Sequence, residues 1–332
     1  MTRGKAMAGK AEAGFRPSLE QIGFVGAGLN RPECVLATAA GSLFTCDWRR
    51  GIAETLPSGG ANLIGSDKLI ADGFRPNGIA LRRDGSFLFA NLGAAGGVWQ
   101  LTRDGVLSPF LTEVDGVALP TVNFVLVDNE ERVWISVSTL HRDHKLTATR
   151  DDGVIVLADQ RGARIVAGEL IWTNETRISP DRRHLWVNET FVGRTTRFRL
   201  AADGALLGRE TVAEYPRGTF PDGLAFDTEG AVWIICVVTN RLIRVAPDLS
   251  YEIVLEDFDP THLDTIMAAL DAGDLTRDLV YRNTGRRMLN HSSLAFGGSD
   301  LKTLYLGSIS GDRIATLAMP VTGVPPSHWH WG

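Results

Sequence analysis

A chain of 332 residues, 44% of them hydrophobic and 36 of them glycine, can bury a large core and by length alone could form about two domains. Its net charge of −5, with lysines and arginines scattered, offers no basic face to nucleic acid or to an anionic membrane surface. The longest uninterrupted apolar stretch, 231–238, is far short of the roughly 20 residues that span a bilayer, and Cys34, Cys46 and Cys236 are too few for a disulfide framework or a structural zinc site.

The chain opens with MTRGKAMAGKAEAGF, basic but without the apolar centre of a secretory signal, so residues 1–20 are expected to be a flexible lead-in to a cytoplasmic protein. From there one pattern recurs: an oxygen-bearing residue, an apolar run, a polar turn, then a strand, in most copies ending near an aromatic. The copies are RPECVLATAAGSLFTCD from Arg31, RPNGIALRRDGSFLFAN from Arg75, TVNFVLVDNEERVWIS from Thr121, TNETRISPDRRHLWVNE from Thr173, FPDGLAFDTEGAVWII from Phe220 and HSSLAFGGSDLKTLYLG from His291. The residues just before the first apolar run are Glu33, Asn77, Asn123, Asn174, Asp222 and Ser292, at successive separations of 44, 46, 51, 48 and 70. A unit of about 45 residues with short period-2 strands and Gly-marked turns matches a four-stranded propeller blade. Six units predict an all-β, six-bladed β-propeller over 21–320, as one domain, followed by a C-terminal tail, 321–332.

The long last interval contains PTHLDTIMAALDAGDL, 260–275, where Leu263, Ile266, Met267 and Leu270 recur at helical spacing. A short helical insertion in the last blade region is expected there, either a lid over one end of the propeller or a decorated loop packing on its body. Ring closure requires the two ends of the chain to share a blade, with 21–28 adding a strand beside 313–319. In the tail PPSHWHWG, two aromatics clamping the end onto the surface is preferred over a metal site at His328 and His330.

In a propeller, equivalent positions of successive blades converge on the central channel, so the six register residues would face one another there. Pro-Asn-Gly at Pro76 and Pro-Asp-Gly at Pro221 also read as ordinary turns, in which the Asn or Asp serves backbone geometry. That reading does not extend to Glu33, Asn123 and Asn174, which precede Cys34, Phe124 and Glu175. Two carboxylates, Glu33 and Asp222, facing each other in a narrow space are costly unless neutralised. A divalent cation held by Glu33, Asn123, Asn174 and Asp222 would neutralise them. Scattered oxygen ligands favour Ca²⁺, which tolerates irregular geometry, with Mg²⁺, Mn²⁺ or Zn²⁺ as alternatives.

The segments PEC at Pro32, VN at Val122, TNETRISPDRRHLWV at Thr173, PDGLAFDTEGAVW at Pro221 and SSLAFGGSDLKTLYLGS at Ser292 resemble the senescence marker protein / gluconolactonase / luciferin-regenerating enzyme family, the regucalcin-like propellers. The likeness covers 31–317. It implies a six-bladed propeller with one catalytic divalent metal in the channel, with Glu33, Asn174 and Asp222 as ligands and Asn123 as a ligand or a substrate contact. Two positions depart from the family pattern. Sugar-lactone members carry Arg where this chain has Thr121, and Gly where it has Glu175. The missing Arg points to a substrate less polar than an aldonolactone, such as an aromatic or alkyl lactone or ester. Asn77, Thr121, Asn123 and Glu175 are the substrate-side candidates, Glu175 also as a residue that orients a ligand.

The expected function is metal-dependent hydrolysis of a lactone or related ester, a small-molecule substrate, with the oligomeric state left open. A cation would polarise the carbonyl and acidify water, and Asp222 would accept a proton, with Glu33 as the alternative. His291, beside the sixth register residue, is either a proton shuttle at the channel mouth or a histidine capping a strand turn, and His141 and His144 carry the same two readings. Trp48, Trp172 and Phe124 lie close enough in sequence to register residues to line a pocket, whereas Trp134, Trp186 and Trp233 sit at core strand positions. The alternatives are phosphotriester cleavage or a non-hydrolytic lyase step on the same metal, or a binding platform whose channel ion is structural.

Overall fold

The computed structural model describes residues 14–143 and 145–331, so residues 1–13 of the expected lead-in, and His144, lie outside the described residues. Each repeat forms one four-stranded antiparallel sheet with its strands paired in chain order. The first five sheets run from Val35–Ala37 to Ala61–Gly65, Pro76–Leu81 to Leu107–Leu111, Thr121–Val127 to Gly162–Leu170, Thr173–Ile178 to Leu206–Glu214, and Phe220–Phe226 to Tyr251–Leu255. The sixth combines His291–Gly297, Thr303–Ser308 and Ile314–Ala318 with Gly23–Val25 from the start of the chain. Gly23 pairs with Thr316 and Val25 with Ile314, closing the ring as the sequence requires. The first strands of successive blades touch around that ring, so they are the inner strands of a six-bladed propeller.

The turn and the core of a blade are set by the same residues. Asp128 and Asp227 each accept backbone N–H groups of their own hairpin turn, from Glu130 and Arg132 and from Glu229 and Ala231. Their other carboxylate oxygens accept the indole N–H of Trp134 and Trp233 at 2.9 and 2.8 Å. Both tryptophans are buried between blades. The polar end of each ring is thereby satisfied while its apolar body fills the core.

Pro-Asn-Gly and Pro-Asp-Gly are not turns. They lie inside the inner strands Pro76–Leu81 and Phe220–Phe226, and neither Gly78 nor Gly223 has a positive φ. What these glycines supply is room for the neighbouring blade: a Cβ on Gly78 would stand 2.7 Å from Phe124 Cα, and one on Gly223 would stand 2.7 Å from Ser293 Cα. Gly223→Ala is therefore expected to lower stability by about 1–3 kcal/mol through overpacking. Urea denaturation reads this directly, and a loss under about 0.5 kcal/mol would mean that the inner strands are not held that close.

A short helix α1, Asp67–Ala71, links the first two blades. Between the fifth and sixth the chain forms α2, Pro260–Ala272, and α3, Arg277–Tyr281. Asp259 caps α2 by accepting the Thr261 N–H at 2.9 Å, and Gly273 ends it in the left-handed region at φ 70°. Ile266 and Leu270 are buried, with Leu263 and Met267 partly so, against Trp172, Phe191, Phe220 and Val237. The helical spacing in 260–275 thus reports a real apolar face, packed on one end of the propeller.

At the chain ends, Phe15 meets Trp233 edge-on at 6.2 Å, and Trp331 meets Phe44 at 5.8 Å. No helix among the described residues is long and apolar enough to cross a membrane.

Candidate active site

Five of the six inner strands break register at the expected channel residue: between Pro76 and Ile79, Val122 and Phe124, Thr173 and Thr176, Pro221 and Leu224, and His291 and Ser293. A bulge leaves a residue out of the ladder and re-aims its side chain. The residues affected include Asn77, Asn123, Asn174, Asp222 and Ser292. In the first blade Glu33 precedes its strand, and a tight turn holds it: Arg31 has φ 55° and its carbonyl accepts the Glu33 N–H at 2.7 Å.

Glu33, Asn77, Asn123, Asn174 and Asp222 line one cavity of about 60 Å³. Ser292, the sixth register residue, is buried but does not line it. The walls include Leu146, Trp172, Phe191 and Ile309, with Arg277, Val280 and Tyr281 contributed by α3. The space suits a carbonyl group and a few waters, so the body of a ring-sized ligand must sit at the mouth.

The polar groups at the floor are unevenly satisfied. Asn77 donates to Glu33 Oε1 at 3.1 Å and to the Asn123 carbonyl at 2.9 Å. Asn174 donates from Nδ2 to Thr190 Oγ1 at 3.0 Å, and Thr190 in turn donates to the Pro221 carbonyl at 2.9 Å. That anchorage leaves Asn174 Oδ1 buried without a donor, and Asp222 Oδ1 is in the same position. Two buried acceptors without donors call for a cation or a bound donor. Among the described residues no group of three or more His, Cys, Asp or Glu side chains is placed to hold a metal. An ion here would rest on two carboxylates and amide oxygens, a donor set that fits a hard divalent cation.

One charged neighbour is matched in only one other copy of the repeat, by Arg75. Arg31 is buried, donates from Nη1 to Asn77 Oδ1 at 2.8 Å and Glu33 Oε2 at 3.3 Å, and reaches Tyr281 Oη from Nη2 at 3.4 Å. Its guanidinium lies 4.5 Å from the Trp48 ring and 5.2 Å from the Tyr281 ring. Trp48 is fixed by donating its indole N–H to the Pro76 carbonyl at 2.8 Å, so it holds Arg31 instead of lining the cavity. One arginine does not balance Glu33 and Asp222. Burial pushes the Glu33 carboxyl up to about 7, against the pull of Arg31 and with Glu175 adding to the rise. Asp222 is raised well above the usual carboxylate range by burial, then by the charges of Glu33 and Glu175.

The remaining candidates lie elsewhere. Glu175 is buried outside the cavity wall, paired with Arg177 at 3.0 Å, and Arg177 stands over Phe124 at 4.6 Å. It acts on the site through its charge. Thr121 is fully buried and does not line the cavity, so no contact with substrate follows from its position. His291 is also buried away from it: Nδ1 donates to the Gly307 carbonyl at 3.0 Å and Nε2 accepts the Leu289 N–H at 3.3 Å. Both ring nitrogens are committed to backbone, and burial lowers its pKa to about 4, so the geometry matches the strand-capping reading and gives a shuttle no free nitrogen. His141 is exposed, 3.9 Å from Asp152 and apart from the cavity.

A larger depression of about 1190 Å³ opens at the far end of the inner strands, lined by Leu81, Val127, Ile178, Phe226 and the 324–328 segment. Size does not make it the better candidate. Among its acids, Asp128 and Asp159 are already paired with Arg132, Arg161 and Arg164, and its buried unpartnered atom, His328 Nε2, belongs to a ring that burial keeps neutral, whereas the small cavity holds an unpartnered carboxylate oxygen with a second carboxylate beside it.

Residues 17–256 match the family model described as the SMP-30/Gluconolactonase/LRE-like region. A 6-deoxy-6-sulfogluconolactonase from Pseudomonas putida is 28% identical over 242 residues, 71% of this chain and 70% of that protein. A gluconolactonase from Xanthomonas campestris superposes with a TM-score of 0.64 at 17% identity, over 90% of this chain and 88% of its own. A calcium-binding protein, regucalcin, from Agrobacterium tumefaciens gives 0.65 at 18% identity, over 93% and 98%.

Proposed function

The chain belongs to the SMP-30/gluconolactonase/LRE-like family, and on that premise we propose that it is a metal-dependent lactonase with Glu33, Asn123, Asn174 and Asp222 holding a divalent cation. The observation that carries the reading is the pair of buried, donorless oxygens on Asn174 and Asp222, with a second carboxylate beside them. The relative named 6-deoxy-6-sulfogluconolactonase supports a lactone as the substrate class. The neighbour described as calcium-binding supports Ca²⁺ as the first ion to try.

A bound cation would supply carbonyl polarisation and a more acidic water. The chain's own groups do the rest. Thr190 keeps the Asn174 amide turned so that its oxygen faces the site. Arg31 and Asn77 hold Glu33. Asp222, the carboxylate with an unengaged oxygen, takes the proton as water adds to the lactone carbonyl carbon, and returns it to the ring oxygen as the ring C–O bond breaks. The product is the open hydroxy acid. Leu146, Trp172, Phe191 and Ile309 would receive the less polar face of the ring.

The test is hydrolysis of a panel of small lactones and esters by chelator-stripped protein, before and after adding back Ca²⁺, Mg²⁺, Mn²⁺ or Zn²⁺. Ion-restored opening of one lactone class is expected. Turnover indifferent to every ion would reject the metal dependence, and no turnover on any member while an ion still raises Tm would reject the hydrolase and leave a binding or non-hydrolytic role.

A further inference from the structure

α3 brings one cation to the cavity that nothing else among the described residues uses. Arg277 is half-buried and lines the mouth, yet its guanidinium makes no hydrogen bond or ion pair among the described residues. On the adjoining helix α2, Asp271 pairs with Arg217 and not with Arg277. α3 is itself anchored, with Val280 buried and Thr276 capping its first turn, so Arg277 is presented from a fixed element. Deeper in the same wall stands Arg31, buried and held between Trp48 and Tyr281, with its Nε lacking a partner.

A neutral ligand gains little from such an arrangement. An oxyanion at the mouth would meet the guanidinium fork of Arg277 with its charge unspent, in surroundings made less polar by Trp172 and Phe191. Resting on the lactonase reading for the position of the carbonyl beside Asn174 and Asp222, we propose that Arg277 recognises an anionic substituent of the substrate, a carboxylate or sulfonate on the side of the ring away from the reacting carbonyl. The site then selects acidic lactones over neutral ones, and the α3 segment sets that selectivity.

The test is a binding measurement that needs no turnover. The full chain, its R277Q variant and its R277E variant are titrated calorimetrically, at one low ionic strength, with three unreactive rings: a tetrahydropyran bearing a carboxylate, a methanesulfonate or a neutral carboxamide. The wild type is expected to prefer at least one anion over the carboxamide by roughly tenfold or more, with the stronger arm identifying the oxyanion class. In R277Q that ratio should fall towards one, in R277E below one, and in the wild type it should shrink as salt is added. No anion preference in the wild type, or a ratio that survives R277Q, overturns the proposal. Anion preference that persists while the lactone panel shows no opening would count against hydrolysis alone. The two failures are therefore separable.

Discussion

Asp222→Asn is expected to cut lactone opening by roughly 10²–10⁴-fold, the range for loss of a general acid–base group, and to abolish the rise in Tm that divalent ions give the wild type. The side chain keeps its size, and the residue's backbone contact with Asn188 is untouched, since Asn188 donates to the Asp222 main-chain carbonyl. The metal-free variant should therefore fold, and should be no less stable than the wild type. Asp222 is buried, its Oδ1 lacks a donor, and its charge is opposed by Glu33 and Glu175. Removing such a charge relieves repulsion in the apo protein while removing the proton acceptor and an ion ligand together. Steady-state kinetics and thermal melts on chelated and ion-loaded protein separate these effects. Turnover within about tenfold of the wild type, with an unchanged response to ions, would take Asp222 out of the chemistry. A variant that simply unfolds would favour the structural-ion reading.

The propeller was readable because its repeat is written in side chains that obey period 2 and fixed turn chemistry, as in the Asp128–Trp134 and Asp227–Trp233 pairs. Channel residues were readable because they hold equal positions in those repeats. What was not readable followed from bulges. Simple alternation puts Thr121 on the same face as Asn123, two residues on, but register shifts on both sides of Val122 break the alternation and leave Thr121 buried outside the cavity. His291 shows the converse: alternation alone would have turned it away from the channel, because it adjoins a channel position. The role of Gly78 and Gly223 was hidden for another reason. A close approach between blades leaves the same Asn-Gly or Asp-Gly signature as a turn. Arg277 lies outside the repeat altogether, and Arg31 opens a copy without being one of its register residues. For Arg31 a faint signal exists, the Arg-Pro shared by the first two copies, although Arg75 turns its guanidinium to the carbonyls of Ile70 and Phe74. Thr190, which turns the Asn174 amide, is 16 residues from it and reaches it only through the hairpin.

The same uncompensated charge predicts how the metal-free protein responds to pH. Glu33 titrates near 4.5 when unfolded and is pushed up to about 7 in the folded protein, chiefly by burial. Below the lower value both states carry the proton, and the shift makes no difference to stability. As pH rises from about 4.5 towards 7 the unfolded chain loses the proton while the folded one retains it, so stability falls. Above 7 both are ionised, and the loss levels off at roughly 3 kcal/mol for this group alone. Carboxylates such as Asp257, which hydrogen bonds hold below their usual range, slope the other way at lower pH, so the informative quantity is a difference between proteins. In chelator, Glu33→Gln should therefore gain on the wild type by roughly 3 kcal/mol between pH 4.5 and 7.5, whatever constant offset comes from disturbing Arg31 and Asn77. Urea denaturation across that range measures it. A divalent ion at saturating concentration should erase the wild-type decline, because it stabilises the ionised carboxylates that burial penalises. A pH-independent difference between the two proteins would mean that Arg31 already compensates Glu33, and that the channel has no need of a cation. A decline that only the ion removes would tie the cost of burying these acids to the site that uses them.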